Sequence, residues 1–214
     1  MCVPKFCEYY RPHNTPNVLN RELFCSRSFK PLSAVFLKGI LGCLYAELPW
    51  QPLNHIYTCW LTSGKCTCEY KHSSQIFKAV AFTPVIQKLG EQIASTVGHP
   101  AGFNSCNANL YMNGKHALGL HSDDEILFGK REEPKLIVSF SLGAARNFNI
   151  FVKKEDLTFT IKLINGEIVT MEGFFQLECE HGVPAQVEVE EPRINLTYRN
   201  IVNHQPNCPC STVS

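Results

Sequence analysis

The sequence predicts a mainly β protein with flanking helices (α+β), built as a double-stranded β-helix, or jelly roll, with two N-terminal helices packed on its major sheet. Before residue 98, two segments carry apolar residues at helical spacing, whereas after residue 103 polar and apolar residues alternate in eight short segments. Eight short, mostly antiparallel strands are typical of a double-sheet jelly roll. The length of 214 residues suits one domain, and 44% hydrophobic with 18% charged residues is typical of a globular chain.

The first 32 residues are predicted to form an irregular arm, because prolines recur there without any apolar period. Residues 1–40 hold six basic against two acidic residues, and the remainder has a small acidic excess. A basic arm suits contacts with phosphates, but a solvated tail explains it equally well. The net charge of +1 does not by itself indicate a nucleic-acid binder.

Two helices and two short strands are predicted between this arm and residue 103. Ser33 suits the N-cap of the first helix, and Thr83 suits that of the second, with Pro84 at its first helical position. Gly98 ends the second helix. The predicted bounds are 33–47 and 84–97 for the helices, and 55–61 and 66–70 for the strands.

Alternating strands are predicted over the rest of the chain up to residue 200. Four apolar residues share one face of the segment 157–164, and the Asn165-Gly166 pair that follows is typical of a tight hairpin turn. The predicted strands are 104–111, 117–122, 135–141, 146–153, 157–164, 167–171, 175–181 and 193–200.

His121 and Asp123 are two positions apart, so in an extended segment both side chains point to the same face. With His181, late in the predicted barrel, they make the set of two histidines and one carboxylate that binds Fe(II) in non-haem oxygenases. The pair alone is weak evidence, since two polar residues at a strand end give the same pattern.

The segment 193–199 alternates in an unusual way: Arg193, Asn195, Thr197 and Arg199 share one face, and Ile, Leu and Tyr occupy the other. If the polar face points into the barrel, two buried arginines need an anionic partner. Because a guanidinium binds carboxylates in two-point fashion, this strand predicts a pocket for a short dicarboxylate.

Eleven cysteines, an odd number in a chain with no apolar signal segment at its start, predict reduced thiols and a cytoplasmic or nuclear location. Cys66-x-Cys68 and Cys208-x-Cys210 are more tightly spaced than a usual zinc knuckle. His204 with the second pair suits a partial zinc site, but loose thiols on a tail remain the simpler interpretation.

Together these motifs resemble the AlkB family of 2-oxoglutarate- and Fe(II)-dependent dioxygenases, over roughly residues 33–201. The resemblance lies in Asn109-x-Tyr111, His121-x-Asp123, His181 and Arg193-x-Asn195-x3-Arg199. It implies a domain over 33–201, with a nucleotide-recognition lid at about 51–80 and a jelly-roll core at about 103–201, between the arm and a cysteine-containing tail at 202–214. Shorter matches are Glu47-Leu-Pro-Trp50, Phe103-Asn104 and Ser141-Leu-Gly143.

The resemblance implies three cofactors or cosubstrates: Fe(II), 2-oxoglutarate and O2. His121, Asp123 and His181 would hold the iron. Arg199 would pair with the distal carboxylate of 2-oxoglutarate, and Arg193 would lie near the carboxylate that binds the metal. Hydrogen bonds to the cosubstrate would come from Asn109, Tyr111 and Asn195.

The resemblance also implies a substrate side, where the lid holds the methylated base against aromatic rings. Trp60, Tyr70 and His72 are the candidates, and Asp124 with Glu125 would contact the edge of the flipped base. His72 stands where a second tyrosine is expected, and an upstream arginine is missing. Trp60 and Tyr70 also fit as plain lid core, and the two acids as surface carboxylates.

The function implied is oxidative demethylation of N-alkylated nucleobases in DNA or RNA, releasing formaldehyde, succinate and CO2. Alternatives are a hydroxylase or demethylase of protein side chains, and a non-catalytic nucleic-acid-binding protein with the same fold. A module built on the thiols alone is weakly supported. The expected partner is nucleic acid, with single strands preferred because a near-neutral chain offers few phosphate contacts. A monomer with no membrane contact is expected.

Overall fold

The computed structural model describes residues 23–29, 33–72 and 74–211. In these residues the chain forms strands, three α-helices and one 3-10 turn at Ile126–Phe128. The helices are α1 (Ala34–Glu47), α2 (Pro84–Val97) and α3 (Phe175–Glu178). The strands are β1 (Leu23–Phe29), β2 (Gln51–Leu53), β3 (Ile56–Thr62), β4 (Tyr70–His72), β5 (Gln75–Phe77), β6 (Val80–Ala81), β7 (Ser105–Tyr111), β8 (Leu118–His121), β9 (Lys135–Gly143), β10 (Arg146–Val152), β11 (Leu157–Leu163), β12 (Glu167–Gly173), β13 (Cys179–Val183) and β14 (Arg193–Arg199).

Two sheets form the barrel of a jelly roll, as predicted. The larger sheet has the order β1-β12-β9-β14-β7-β3-β2, with β6 added beside β3, and the smaller has the order β11-β10-β13-β8. A separate hairpin joins β4 and β5. Pairing is antiparallel except between β3 and β6.

Both predicted helices are present with the predicted caps. The Ser33 hydroxyl accepts the N–H of Phe36, and the Thr83 hydroxyl accepts the N–H of Ile86. Helix α2 packs so closely on the large sheet that a Cβ on Gly90 would lie 2.9 Å from the Tyr198 ring. No helix in the described ranges is long and apolar enough to cross a membrane.

Strand β14 separates the apolar core from the polar interior. Its even-numbered side chains pack among the apolar residues of α1 and α2, and its odd-numbered polar side chains are buried on the barrel side. The alternation in the sequence therefore predicted the two faces of this strand correctly.

Three predictions of local structure are wrong. Residues 23–29, expected within the irregular arm, form β1 and pair with β12, which covers an edge that would otherwise be unpaired. The other residues of the arm lie outside the described ranges. The segment 175–178 forms α3 instead of starting a strand, and the strand predicted at 66–70 begins only at Tyr70. In α3, the helical turn brings the buried side chain of Gln176 to the N–H of Asp123.

One further correction concerns a connection. Gly166 has a left-handed conformation (φ 83), as an Asn-Gly turn requires, but its turn links β11 in the small sheet to β12 in the large sheet instead of closing a hairpin. Of the lid predicted at 51–80, residues 51–53 and 56–62 belong to the large sheet, because β3 pairs with β7 along its length. The bounds of the lid, the domain and the tail remain predictions.

Candidate active site

The two predicted histidine ligands face each other across neighbouring strands of the small sheet. His121 ends β8 and stands opposite His181 of β13, and their ring centroids are 4.4 Å apart. Asp123 follows two residues later and is buried, with its backbone N–H donating to the side chain of Gln176. The structure therefore brings together the three residues that the sequence singled out, here named the triad cluster.

The donor atoms of the triad cluster converge at distances that one metal ion can bridge. Asp123 has one carboxylate oxygen 3.6 Å from Nε2 of His121 and the other 3.9 Å from Nε2 of His181. Nδ1 of His121 lies 2.9 Å from the carbonyl oxygen of Gly119. If Nδ1 carries the proton and donates it to that oxygen, Nε2 is left free as a ligand.

Burial and charge favour the metal-binding protonation states of His181 and Asp123. Burial, with the nearby imidazole of His121, lowers the pKa of His181 to about 3. Burial opposes ionisation of Asp123, but Arg199 and the two histidines outweigh it and lower its pKa. Neutral imidazoles and an ionised carboxylate are the forms that bind metals.

A second group of polar side chains lines the barrel along β14. Arg193 donates to the Oγ of Ser141 at 2.9 Å and to Oδ1 of Asn195 at 2.7 Å, and its guanidinium lies over the ring of Tyr111. Two of its nitrogens, Nε and Nη1, are buried without a hydrogen-bond partner. Within the described part of the chain, no carboxylate forms an ion pair with Arg193, and burial lowers its pKa to about 10.

Arg199 lies at the other end of β14, beside the triad cluster. One of its terminal nitrogens is 3.2 Å from the carboxylate of Asp123, and another is 3.9 Å from that of Glu125. Arg199 thus lies beside the triad cluster, whereas Arg193 lies at the opposite end of β14. The alternation of the strand placed both side chains inside, but the direction of the strand relative to the triad cluster is a property of the sheet topology.

The predicted substrate residues are only partly brought to the pocket. Tyr70 and His72 line it together with His121 and Asp123. Trp60 is fully buried behind Tyr70, with the two rings stacked at 4.9 Å between centroids. Its indole N–H donates to the carbonyl of Cys68 at 2.8 Å, which anchors it as lid core.

The two carboxylates predicted to contact the base have other partners. Glu125 accepts a hydrogen bond from the Tyr70 hydroxyl at 2.6 Å, and burial raises its pKa. Asp124 lies 3.4 Å from the exposed side chain of Arg131. Neither is among the pocket-lining residues, although Asn109, Tyr111 and Asn195 are.

Sequence reasoning missed three residues that shape the site. Arg146 is buried, its guanidinium lies over the ring of Tyr111 as that of Arg193 does, and it donates to the carbonyls of His116 and Pro184. Ser139 donates to Asn195 at 2.8 Å. Gln176 holds Asp123, as described above. Of these three residues, only Ser139 could have been found from the sequence, because Ser139 and Ser141 alternate on β9 as the polar residues do on β14.

The comparison with protein families agrees with this geometry. The model described as "2OG-Fe(II) oxygenase superfamily" matches residues 46–199, which include the triad cluster and both arginines. The chain belongs to the 2OG-Fe(II) oxygenase superfamily. This superfamily uses Fe(II), 2-oxoglutarate and O2, so the predicted set of cofactors is confirmed at the level of the superfamily.

Curated relatives confirm the resemblance to the AlkB branch of this superfamily. The chain is 39% identical over 127 residues to "Alpha-ketoglutarate-dependent dioxygenase alkB homolog 3" of Bos taurus, covering 55% of this chain and 43% of that protein. The Homo sapiens protein of the same name is 37% identical over the same shares. "DNA oxidative demethylase ALKBH2" of Bos taurus is 26% identical over 152 residues, covering 66% of this chain and 52% of that protein.

The chain spans about half the length of the curated relatives that it matches. A solved structure titled "The structure of OsALKBH1" superposes with a TM-score of 0.59 at 16% identity, covering 86% of this chain and 99% of that one. This superposition confirms the predicted fold class.

The residues present suit the cofactors of the superfamily. Two imidazole nitrogens and a carboxylate are the donor set of non-haem Fe(II) oxygenases, which keeps other coordination positions open. The buried, unpartnered N–H groups of Arg193 suit one carboxylate of a small dianion. The site thus has a fitting place for the metal at one end and for the keto acid along β14.

Proposed function

We propose that this protein oxidatively demethylates N-alkylated nucleobases in DNA or RNA, consuming 2-oxoglutarate and O2 and releasing formaldehyde, succinate and CO2. The observation that carries the proposal is the pairing of an open three-ligand cluster with a buried arginine that lacks a carboxylate partner among the described residues. The names of the AlkB relatives point to the same chemistry in those proteins.

In the proposed site, His121, Asp123 and His181 hold Fe(II). When bound, the iron and 2-oxoglutarate together supply the oxidising power that inserts oxygen into the N-methyl group. The carbonyl of Gly119 orients His121, and Gln176 fixes the backbone of Asp123. These contacts hold the three donor atoms in place before the metal arrives, so little ordering remains to be done on binding.

We assign the distal carboxylate of 2-oxoglutarate to Arg193 and the metal end of the molecule to Arg199. Arg193 has free N–H groups and lies near Tyr111 and Asn195, which are placed to donate further hydrogen bonds. Arg199 is already close to Asp123, where the carboxylate and keto oxygen beside the metal would be. Asn109 lines the pocket between the two ends and offers its amide to the cosubstrate.

On the substrate side, we propose that His72 and Tyr70 form the wall against which the methylated base rests. His72 lies beside the metal ligand His121, with ring centroids 6.0 Å apart. Trp60 and Glu125 act on the base through Tyr70. The Trp60 ring stacks against the Tyr70 ring, and Glu125 accepts a hydrogen bond from the Tyr70 hydroxyl. A direct role for Asp124 has no support from its contacts.

We further propose a preference for single strands, action as a monomer, and a cytoplasmic or nuclear location. Gripping a duplex requires many phosphate contacts, whereas an unpaired base is cheaper to flip out of its stack. Lys153 is not free to bind a phosphate, because its ammonium group already donates to the hydroxyl of Ser122 at 3.0 Å. Most of the basic arm that would add charge lies outside the described ranges, which include only its residues 23–29.

Formaldehyde release from N-methylated oligonucleotides tests the proposal. DNA and RNA oligonucleotides carrying different methylated bases would be compared as single strands and duplexes at equal salt, with Asp123→Ala as the inactive control. We expect release from single strands and slower release from duplexes. Faster release from duplexes would overturn the strand preference. Turnover of 2-oxoglutarate stimulated by a protein and by no oligonucleotide would identify a side-chain hydroxylase, and no turnover at all a binding protein.

A further inference from the structure

Four side chains far apart in the sequence meet behind the lid. Cys66 and Cys68 lie in the loop before β4, and His204 and Cys208 in the tail after β14. Their donor atoms all lie within 4.8 Å of one another. We name this group the thiol cluster. It shares no residue with the triad cluster, and His204 and Cys208 lie beyond the residues 46–199 that the family model matches.

The distances within the thiol cluster match a tetrahedral metal site. Nδ1 of His204 is 3.6 Å from the sulfur of Cys66, 3.4 Å from that of Cys68 and 3.5 Å from that of Cys208. Tetrahedral zinc, with bonds of about 2.3 Å to sulfur and 2.0–2.1 Å to nitrogen, requires nitrogen–sulfur separations of about 3.6 Å. The sulfurs of Cys66 and Cys208 are 3.7 Å apart, against about 3.8 Å in the same tetrahedron.

Neither hydrogen bonding nor a disulfide explains this packing. One imidazole nitrogen has either one proton or one lone pair, so it cannot satisfy three sulfurs at once. A disulfide requires sulfurs about 2.05 Å apart, far closer than those of Cys66 and Cys208. A cation at the centre would bind all four donor atoms at once.

Backbone groups around the cluster already point at the sulfurs. The N–H of Thr67 donates to Cys208 at 3.4 Å, and the N–H of Gln205 donates to Cys68 at 3.3 Å. Such bonds stabilise the negative charge of a metal-bound thiolate. The side chain of Gln205 also joins the two segments, accepting from the N–H of Glu69 and donating to its carbonyl.

We propose that Cys66, Cys68, His204 and Cys208 bind one structural Zn²⁺ ion that ties the C-terminal tail to the lid. Three sulfurs and one nitrogen fill the four positions of zinc, so the site has no place for a substrate and its role is structural. Cys68 accepts the indole N–H of Trp60 on its carbonyl and is followed closely by Tyr70. The metal therefore holds the loop that positions the wall of the substrate pocket.

The metal content of the full chain tests this proposal directly. A variant with both His121→Ala and Asp123→Ala removes the competing triad cluster, so that any zinc retained after dialysis reports on the thiol cluster. We expect about one equivalent of zinc per chain in this background. We expect most of it to be lost when Cys68→Ser or Cys208→Ser is added, and retained with Cys210→Ser. The last variant is a matched control, because Cys210 is on the same tail but outside the cluster.

A second measurement keeps the test decisive if a cysteine variant fails to fold. Co²⁺ added to the otherwise unsubstituted His121→Ala/Asp123→Ala protein should give the visible d–d absorption of tetrahedral cobalt together with near-ultraviolet sulfur-to-cobalt charge transfer, and Zn²⁺ should displace the Co²⁺. Less than about a tenth of an equivalent of zinc together with no such absorption would overturn the proposal. An equal fall in zinc content in the Cys208→Ser and Cys210→Ser variants would also overturn the proposal.

Discussion

The triad cluster and the thiol cluster both gather three or four metal-binding side chains, but they are built in opposite ways. The triad cluster uses nitrogen and oxygen donors from one sheet and its edge, with His121 and His181 directly paired between strands. The thiol cluster uses mainly sulfur, and its ligands come from two loops more than 130 residues apart. The triad cluster is built on two paired strands, and the thiol cluster joins two irregular segments.

The comparison indicates that the number and type of ligands decide whether a metal site can bind a substrate. Two imidazoles and one carboxylate leave coordination positions open for a keto acid and O2, whereas three thiolates and an imidazole close the coordination of zinc. The open cluster needs rigid strands, because they fix its geometry without help from the metal. In the thiol cluster, by contrast, the bound metal fixes the positions of ligands that lie on loops.

The largest effect should come from the open cluster. His121→Ala or Asp123→Ala should lower formaldehyde release by more than about 100-fold. Loss of a residue that only supports a metal ligand typically costs up to about 100-fold, and loss of a ligand itself should cost more. The zinc held by the thiol cluster should be unchanged in the same variants, because the thiol cluster shares no ligand with the triad cluster. Measurement of turnover and of both metals on one preparation checks this. Full activity of either variant would remove the triad assignment.

A large effect is also expected at the distal end of the keto-acid pocket. Arg193→Lys removes the planar two-point contact and should weaken 2-oxoglutarate binding by about 2–5 kcal/mol, or roughly 30- to several-thousand-fold. Titration calorimetry or the 2-oxoglutarate dependence of turnover measures it, with the exposed Arg131→Lys as control. A loss at Arg199→Lys with none at Arg193→Lys would restore the assignment that the sequence alone suggested.

A smaller effect is expected from the closed cluster. With free zinc at 100 times Kd, binding contributes about 2.7 kcal/mol. For a chain of this size, about 2–4 °C per kcal/mol gives a fall in Tm of roughly 5–11 °C for Cys208→Ser. Scanning fluorimetry of this variant beside Cys210→Ser checks it. Equal Tm values for the two variants would show that the tail is not held by a metal.

In the iron-free protein, the free energy of unfolding should depend on pH through His181 of the triad cluster. Because burial lowers the pKa of His181 to about 3, the folded protein resists a proton that the unfolded chain accepts below about pH 6.5. The unfolded state then binds more protons, so the free energy of unfolding falls as pH drops below 6.5, by up to about 1.4 kcal/mol per pH unit. Urea unfolding of iron-free protein between pH 7 and 5 should show a shallower slope for His181→Asn than for wild type.

The smallest effect should come from the lid. Tyr70→Phe removes the hydrogen bond to Glu125, worth about 0.5–1.5 kcal/mol, and should raise KM for the oligonucleotide roughly 2- to 12-fold. Turnover of 2-oxoglutarate without substrate should be spared, because Tyr70 is proposed to contact only the base. An equal loss in both reactions would place Tyr70 in the cosubstrate pocket instead.

Much of the fold and part of the site could be predicted because the relevant signals are local. Ser33 and Thr83 mark helix starts by hydrogen bonds within one turn, and the alternation in 193–199 assigns each side chain of β14 to a face. The His-x-Asp spacing puts two ligands on one side of an extended segment. Each of these inferences depends only on backbone geometry over a few residues.

The errors lie where distant segments decide the structure. Residues 23–29 become a strand only because β12 offers an edge, and 175–178 turn into α3 where Gln176 reaches Asp123. The Asn165-Gly166 turn formed as its sequence indicates, but which sheet receives the next strand depends on the packing of the whole barrel.

By itself, the sequence determined the jelly-roll class, the helix caps, the inward face of β14 and the identity of the triad residues, since periodicity and spacing are properties of a short stretch of chain. Only the tertiary structure decided that Arg199 lies beside the triad cluster and Arg193 at the far end of β14, because strand direction relative to β8 and β13 is set by sheet order. It also decided that Cys66 and Cys68 meet His204 and Cys208. That meeting depends on the path of the chain around the barrel, which no spacing in the sequence records.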